Sequence, residues 1–308
     1  MDGTTWRGGM MGGGGMLLVG TLVAVSATTA GHPVYSGQMW RYLAGAAALG
    51  VALIVTRTRP VRPTGREWVL LVALAATGLV AFNVCIVTAN RYVSPAVVAT
   101  VIGASPVVMA LLGPVVARTG RPAARVLLGA VVVAGGTAVA AGGGGVEAAG
   151  VLWAAGALCG EVAFSLLALP LLPGLGALRV SAYTAALAVP MLLALSWMDI
   201  GVPAVFPTPA EWAAIGYLGV VVTAGAFLLW YTALPMLGPS RAGLLAGLMP
   251  VGAVATQAVL GLGIPTTPEL AGAALVVAGI LAGLAPRRSR TGDTGVVITH
   301  TAEAAVRR

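Results

Sequence analysis

Two charged side chains, Glu161 and Arg41, interrupt otherwise apolar stretches of this chain. A charge near the centre of a lipid bilayer costs about 2.5 to 3.5 kcal/mol on insertion scales, so such a residue indicates a functional site by default. Glu161, predicted to lie a third to halfway along its helix, could take up a proton or contact a substrate, because apolar surroundings favour the uncharged carboxyl group. The alternatives are a structural pairing with a neighbour and a hydrated position near the interface.

Arg41 offers a planar fork of donors that suits a carboxylate. Gln38 lies one helical turn before it, and Trp40 is adjacent. Three roles are open for Arg41. It could contact a substrate, pair with Glu161, or anchor its helix by extending its long side chain to the interface.

Further polar or aromatic side chains within apolar stretches are candidates for lining a cavity. A mid-span amide in lipid commonly bonds another helix and contributes about 0.6 kcal/mol. For Asn83 and Gln257 this favours a role in helix packing. Aromatic residues can form either an interfacial belt or a cavity wall. These candidates are Asn83, Tyr183, Trp230, Tyr231 and Gln257.

The parts of an enzyme, a metal centre or an ATP-driven pump are missing from the sequence. His32 falls in a predicted loop and His300 in the C-terminal tail, while Cys85 and Cys159 lie in apolar stretches. No nucleophile with a base and no Cys/His metal spacing can be assembled from these residues. The chain has no Lys and therefore no phosphate-binding loop of the Walker type. We expect no enzymatic activity, no metal and no cofactor.

The composition predicts an integral membrane protein. Hydrophobic residues make up 58% of the chain and charged residues 8%, with a mean hydropathy of +0.97. Each helical crossing needs about 20 apolar residues. Charged, Pro-rich and Gly-rich breaks then delimit ten predicted spans, at residues 11–30, 36–56, 68–89, 94–116, 124–141, 150–171, 178–198, 212–234, 240–261 and 269–285. Residues 1–10 and 286–308 are predicted tails, the second of them disordered.

The arginines predict the orientation of these spans, since cytoplasmic loops carry an excess of basic residues. Most arginines fall on one side of the predicted spans, in the N-terminal tail, alternate loops and the C-terminal tail, and only Arg91 falls on the other. This distribution predicts an even number of crossings of the cell membrane, with both termini on the cytoplasmic side. The net charge of +8 therefore records topology, and we expect no binding to nucleic acid.

An internal repeat is the strongest organisational signal. A shift of 144 positions pairs, without a gap, Trp68 with Trp212, Thr88 with Thr232, Pro95 with Pro239, Gly103 with Gly247 and Pro106 with Pro250. Five crossings per repeat place the second copy, residues 150–285, upside down relative to the first, residues 11–141. Inverted repeats are a recurrent architecture of secondary transporters, with the substrate site between the halves.

Pro106 and Pro250 are predicted to fall near the middle of equivalent spans. A mid-helix proline frees the carbonyl four residues earlier, and Gly103 and Gly247, one turn before, add backbone freedom. The pattern predicts either a pair of hinges flanking a central cavity or two static kinks.

Three stretches resemble the EamA-type members of the drug/metabolite transporter superfamily. They are residues 89–96 continuing to 103–108, residues 33–44 around Arg41, and residues 181–184. The resemblance covers residues 11–285. It implies an all-α membrane protein of ten helices in two inverted EamA repeats that transports, and commonly exports, a metabolite, an amino acid or a drug-like solute. We expect a small-molecule substrate, contact with lipid, possible use of protons, and a monomer or homodimer. A membrane scaffold or a flippase for hydrophobic molecules is the alternative.

Overall fold

The computed structural model describes residues 3–27, 31–59, 61–93, 95–118, 123–141, 147–261 and 266–284, and in these ranges all regular secondary structure is helical. The predicted disordered tail lies outside the described residues. In the first half of the chain the elements are α1 (Gly3–Ala27), α2 (Val34–Val55), α3 (Gly65–Leu74), a π-helical segment (Ala75–Ala81), α4 (Phe82–Ala89), α5 (Pro95–Ile102), α6 (Ser105–Ala117) and α7 (Ala124–Ala141).

The second half repeats this order of elements. It consists of α8 (Ala148–Leu166), α9 (Leu172–Ile200), α10 (Pro209–Tyr217), a second π-helical segment (Leu218–Gly225), α11 (Ala226–Leu237), α12 (Pro239–Ala246), α13 (Leu248–Val259) and α14 (Thr267–Leu284). Each element is the counterpart of one in the first half, about 144 residues earlier. The repeat seen in the sequence is therefore a repeat of structure.

Eight helices in the described ranges are long and apolar enough to cross a membrane. Several of them join adjacent elements, such as Gly65–Ala89, which combines α3, the first π-helical segment and α4. The stretch Ala124–Val139 in α7 is apolar but shorter than these eight. The chain is thus a multi-pass membrane protein.

Matching capping boxes start the third long helix of each half. The Thr64 amide donates to Glu67 Oε2 at 2.7 Å, and the Glu67 amide donates to Thr64 Oγ1 at 3.3 Å. Thr208 and Glu211 repeat this arrangement 144 residues later. Each box satisfies two backbone donors that a helix N-terminus would otherwise leave unpaired. The residues Thr-x-x-Glu-Trp thus fix where both helices begin.

The helix breaks lie at the glycines and not at the prolines, which corrects the sequence prediction. The first break separates α5 from α6 at Gly103, and the second separates α12 from α13 at Gly247. Pro106 and Pro250 follow within the first turn of the next helix, where a missing N–H costs little because that donor has no helical partner. The two prolines therefore start helices rather than kink them.

Close packing explains the two glycines at these breaks. A Cβ atom on Gly103 would overlap the side chain of Thr137, and one on Gly247 would overlap that of Val133. Both neighbours belong to α7. Glycine is thus required here for the close approach of a neighbouring helix, besides any freedom it gives the backbone.

The first helix of each half packs against helices of the other half. Helix α1 packs against α11 and α13 of the second half, while α8 packs against α4, α5 and the first π-helical segment. Helix α1 begins at Gly3, before the predicted start at residue 11, and several of its glycines are contact positions: a Cβ on Gly12 would lie 2.7 Å from Leu245 Cδ1. The first helix is therefore an integral part of the fold.

We predict that Gly20→Ala destabilises the protein by about 1 to 3 kcal/mol, the usual cost of overpacking. A Cβ at Gly20 would overlap the Met249 carbonyl oxygen on α13. The matched control is Gly14→Ala in the same helix, where nothing lies within 4 Å of the added atom and better helix propensity should raise stability by about 0.5 to 1 kcal/mol. Thermal unfolding in detergent measures both, and equal melting temperatures for the two variants would refute the packing.

Candidate functional site

Glu161 lies on the buried face of α8. Ala157 and Ala154, one and two turns before it, are 0% exposed, and Phe164 and Ser165, one turn after it, are 7% and 2% exposed. Glu161 is nevertheless partly exposed. Its carboxylate makes no hydrogen bond or ion pair with a described residue. Glu161 is thus more exposed than the residues that share this face of α8.

Glu161 also lies further along its helix than predicted, in the last third of Ala148–Leu166. The helix ends earlier than expected because Pro170 and Pro173 follow, and proline disfavours helix in the residues before it. Two side chains of α11 hold this end: Trp230 Nε1 donates to Ser165 Oγ at 3.1 Å, and Tyr231 Oη donates to the Phe164 carbonyl at 3.2 Å. The carboxylate therefore lies next to a firmly packed helix end.

Aromatic rings surround this end of α8. Phe164 lies 4.8 Å from Phe227 and 4.9 Å from Tyr231 between ring centroids, and Phe227 lies 6.5 Å from Tyr42 of α2. All four side chains are buried. We call these four rings the aromatic wall. It joins α2, α8 and α11, and Glu161 lies beside it.

Arg41 is buried on α2 at 7% exposure, so its side chain does not extend to the interface. Its Nε donates to Thr223 Oγ1 at 2.8 Å, and one outer nitrogen donates to Gln38 Oε1 at 3.1 Å. The guanidinium carbon also lies 5.2 Å from the centroid of the Tyr42 ring. Its contacts are therefore with neutral groups, and the alternative that it pairs with Glu161 is wrong.

Thr223 is positioned by the second π-helical segment. Its hydroxyl donates to the Leu218 carbonyl at 3.0 Å, five residues earlier, while Oγ1 accepts from Arg41. A Cβ on Gly219 of this segment would lie 2.7 Å from the Arg41 carbonyl oxygen, so glycine allows α2 to approach closely. Such π-helical turns are frequent at functional sites.

Thr223, Phe227 and Tyr231 occur at intervals of four residues and so line one face of the helix. Thr223 contacts Arg41, Phe227 contacts Tyr42, and Tyr231 contacts the end of α8 beside Glu161. Eight residues of helix rise about 12 Å. The cationic and anionic groups are thus at two depths along one face, separated by the aromatic wall.

A polar cluster lies at the start of α2, beyond Arg41. Trp40 Nε1 donates to the Val205 carbonyl at 2.8 Å, and Ser36 Oγ accepts from the Val205 amide at 2.8 Å. His32 Nδ1 lies 3.5 Å from Glu211 Oε1. These contacts join the α1–α2 loop to the segment before α10.

The other predicted residues are spread over the protein. Asn83 is half-buried in α4 and donates to the Leu79 carbonyl at 2.6 Å. Tyr183 lies away from Glu161, because its hydroxyl donates to the Val61 carbonyl of the α2–α3 loop at 3.3 Å. Gln257 is half-buried in α13, and Trp230 is 2% exposed. Of the predicted residues, the structure thus groups four near the helix face of Thr223 and Phe227 and the end of α8 that carries Glu161. These four are Arg41, Gln38, Trp230 and Tyr231.

Sequence reasoning missed Thr223, Phe227 and the capping boxes. The boxes had a signal, since the 144-residue shift also pairs Thr64 with Thr208 and Glu67 with Glu211. The spacing from Thr223 to Tyr231 was visible as well. Nothing in the sequence indicated that a π-helical turn would direct Thr223 toward Arg41.

Some helix–helix contacts have no counterpart between the equivalent helices of the other half. Helix α6 packs against α12, whereas their counterparts α13 and α5 share no comparable contact. Helix α11 packs against α9 and α12 against α7, again without comparable contacts between the equivalent pairs α4 and α2, or α5 and α14. The contacts that are present cluster around α11 and α12.

The end of the protein at which α6 packs against α12 also carries the start of α1 and the end of α14. A Cβ on Gly8 would lie 3.0 Å from Leu237 Cγ at the end of α11, and one on Gly283 would overlap Leu244 of α12. We call this end the terminal side. The contact between α6 and α12, which has no comparable counterpart in the other half, lies on this terminal side.

Comparison with known proteins supports this architecture. The model of the EamA-like transporter family matches residues 7–142 and again residues 148–283, which confirms both the resemblance and the repeat. A solved structure, described only as a crystal structure of a protein, has a TM-score of 0.74 and 21% identity to this chain, over 90% of this chain and 96% of the other. At that identity the likeness shows the fold alone. No curated protein matches the sequence.

We predict that a cysteine at position 161 reacts with a small charged thiol reagent and that one at position 157 does not. Both positions lie on the buried face of α8, but Ala157 is 0% exposed whereas Glu161 is partly exposed. The background replaces the free cysteines Cys85 and Cys159 with alanine. Labelling rates of Glu161→Cys and Ala157→Cys in detergent measure the difference. Equal rates would show that Glu161 is no more accessible to water than Ala157.

Proposed function

The chain belongs to the EamA-like transporter family, and from this premise we propose that it is a secondary transporter that moves a small metabolite, amino acid or drug-like solute across the cell membrane by alternating access. The transported solute binds in the space between the two halves. Export is the proposed direction. The single observation that carries the proposal is Glu161, a partly exposed carboxylate within an apolar helix that has no partner among the described residues.

The proposed topology has ten crossings. Helices α1 and α7 complete the eight long apolar helices, and each half then contributes five. An odd number per half gives the halves opposite orientations. Arginines concentrate in the tails and loops of the terminal side, which favours a cytoplasmic location for that side. Both termini are then cytoplasmic, and the described conformation faces outward.

The unequal packing of the halves supports alternating access. Two halves of the same architecture in opposite orientations have two equivalent arrangements, in which each half adopts the packing of the other. In the second arrangement α5 would pack against α13, and α6 would leave α12. The glycine breaks at Gly103 and Gly247 lie at the middle of the helices that would move, so we propose that they are the hinges.

Glu161 is the proposed coupling group. A carboxylate inside the membrane that can exchange a proton from one side at a time can link the proton gradient to the conformational change. Three features support this role: Glu161 is partly exposed, has no hydrogen-bond or ion-pair partner among the described residues, and lies in the last third of α8. The neutral rings of Phe164, Phe227 and Tyr231 lie beside it, so protonation would change its interaction with them.

We predict that Glu161→Gln abolishes the response of transport to a pH gradient, because an amide side chain does not take up or release a proton as a carboxyl group does. The measurement is flux in proteoliposomes with an imposed pH gradient, over a panel of radiolabelled amino acids, carboxylic acids and organic cations. The matched control is Glu147→Gln, the same change at the exposed start of the same helix. It should keep the wild-type response.

Three results would oppose the proposal or part of it. A Glu161→Gln variant as fast as wild type and equally sensitive to pH would remove Glu161 from coupling. Absence of flux for every solute in the panel would favour a membrane scaffold. Accelerated exchange of a fluorescent phospholipid between leaflets would instead indicate a flippase.

A further inference from the structure

Arg41 is a buried charge without an opposite charge beside it. It is 7% exposed, and its hydrogen-bond partners, Thr223 and Gln38, are neutral. In the polar cluster at the start of α2, the carboxylate of Glu211 contacts His32 and not Arg41. Burying an unpaired charge is unfavourable, so the site is incomplete until an anion binds.

The guanidinium group is held in one orientation. Thr223 accepts from Nε, and Gln38 accepts from one outer nitrogen, which uses two of the five donors of the group. The other outer nitrogen, Nη2, makes no hydrogen bond with another described residue. The fork is therefore fixed on one edge and has donors available on the other, as recognition of two coplanar oxygen atoms requires.

The surroundings exclude several classes of anion. One guanidinium group matches one negative charge, which disfavours compounds with several phosphates. An α-amino acid also needs an acceptor for its ammonium group next to its carboxylate. The acceptors beside Arg41, Gln38 Oε1 and Thr223 Oγ1, are neutral and each already receives one hydrogen bond from the guanidinium group, and no carboxylate of a described residue forms an ion pair there to balance the ammonium charge. Glu161 lies about two helical turns away, at roughly 12 Å along the helix.

The aromatic wall provides the complementary surface for the rest of the molecule. Tyr42 adjoins Arg41, and Phe227 follows one turn below Thr223. An apolar or aromatic group attached to the bound anion would lie against these rings. Resting on the transport function proposed above, we propose that Arg41 binds the carboxylate of a monocarboxylate with an apolar or aromatic body, and that α-amino acids are poor ligands.

Direct binding tests this assignment independently of transport. The probes are phenylacetate, indole-3-acetate and hexanoate, each compared with its uncharged primary amide, together with L-phenylalanine. The protein is the full chain purified in detergent, and affinity is measured by calorimetry. We expect at least one acid to bind on the order of tenfold to hundredfold more tightly than its amide, as a charge-assisted hydrogen bond implies. L-Phenylalanine should bind more weakly than phenylacetate.

Variants locate the bound carboxylate. Arg41→Gln should remove the preference for acid over amide, and Arg41→Lys should restore only part of it, because lysine keeps the charge and loses the fork. Thr223→Val should weaken acid binding by releasing the orientation of the fork. The matched control is Arg179→Gln, since Arg179 donates to the backbone carbonyls of Leu175 and Arg59. It should bind the acids as wild type does.

The outcomes separate this inference from the transport proposal. Acid binding that depends on Arg41, without flux in proteoliposomes, would support the site and oppose transport. Flux of a neutral or cationic solute that is unchanged in Arg41→Gln would support transport and overturn the site. Failure of all three acids to bind wild type, or equal binding to Arg41→Gln, would also overturn it. A role for Arg41 as a structural anchor alone predicts loss of folding in Arg41→Gln together with no acid binding to wild type.

Discussion

The contact between α6 and α12 is the interaction on which the site depends. A Cβ on Gly113 would lie 2.9 Å from Pro239, and one on Gly243 would lie 2.5 Å from Met109 Cβ, so small residues let the two helices meet closely. Such contacts supply much of the association energy of helices in lipid, where no hydrophobic driving force acts between them. The contact lies on the terminal side, and the equivalent pair, α5 and α13, makes no comparable contact on the opposite side.

Two charges inside the membrane without an opposite charge among the described residues are unfavourable unless they serve function. Soluble proteins pair or hydrate such groups, and lipid offers neither solution. The fold instead holds Arg41 with neutral partners and leaves Glu161 partly exposed, at two depths along one face of the second π-helical segment and α11. Arg41 has no basic counterpart in the second half, where Ala185 occupies the equivalent position. The symmetry of the scaffold is therefore not a symmetry of the site, and the site gives the two halves different chemistry.

Much of the scaffold could be predicted from the sequence because apolar length and a repeated spacing are local signals. The pairs Trp68 and Trp212 or Pro95 and Pro239 are enough to place two similar halves. The hydrogen bonds of Arg41 were not predictable, since Thr223 is far away in sequence and reaches Arg41 through a π-helical turn. The prolines misled for a related reason: sequence shows that Pro106 and Pro250 interrupt a helix, but only packing against α7 shows that the break falls at the preceding glycines.

The central claim is that the two halves pack differently and exchange their packing. Spin labels on repeat-equivalent pairs test it most directly, with Val116 and Arg241 on the terminal side and their counterparts Leu260 and Val97 on the opposite side. Each pair is measured separately by double electron–electron resonance in a background without Cys85 and Cys159. The account predicts a shorter distance for the terminal pair at rest, and opposite changes in the two pairs when a pH gradient or a transported solute is added. Equal distances in both pairs, or changes in the same direction, would contradict it.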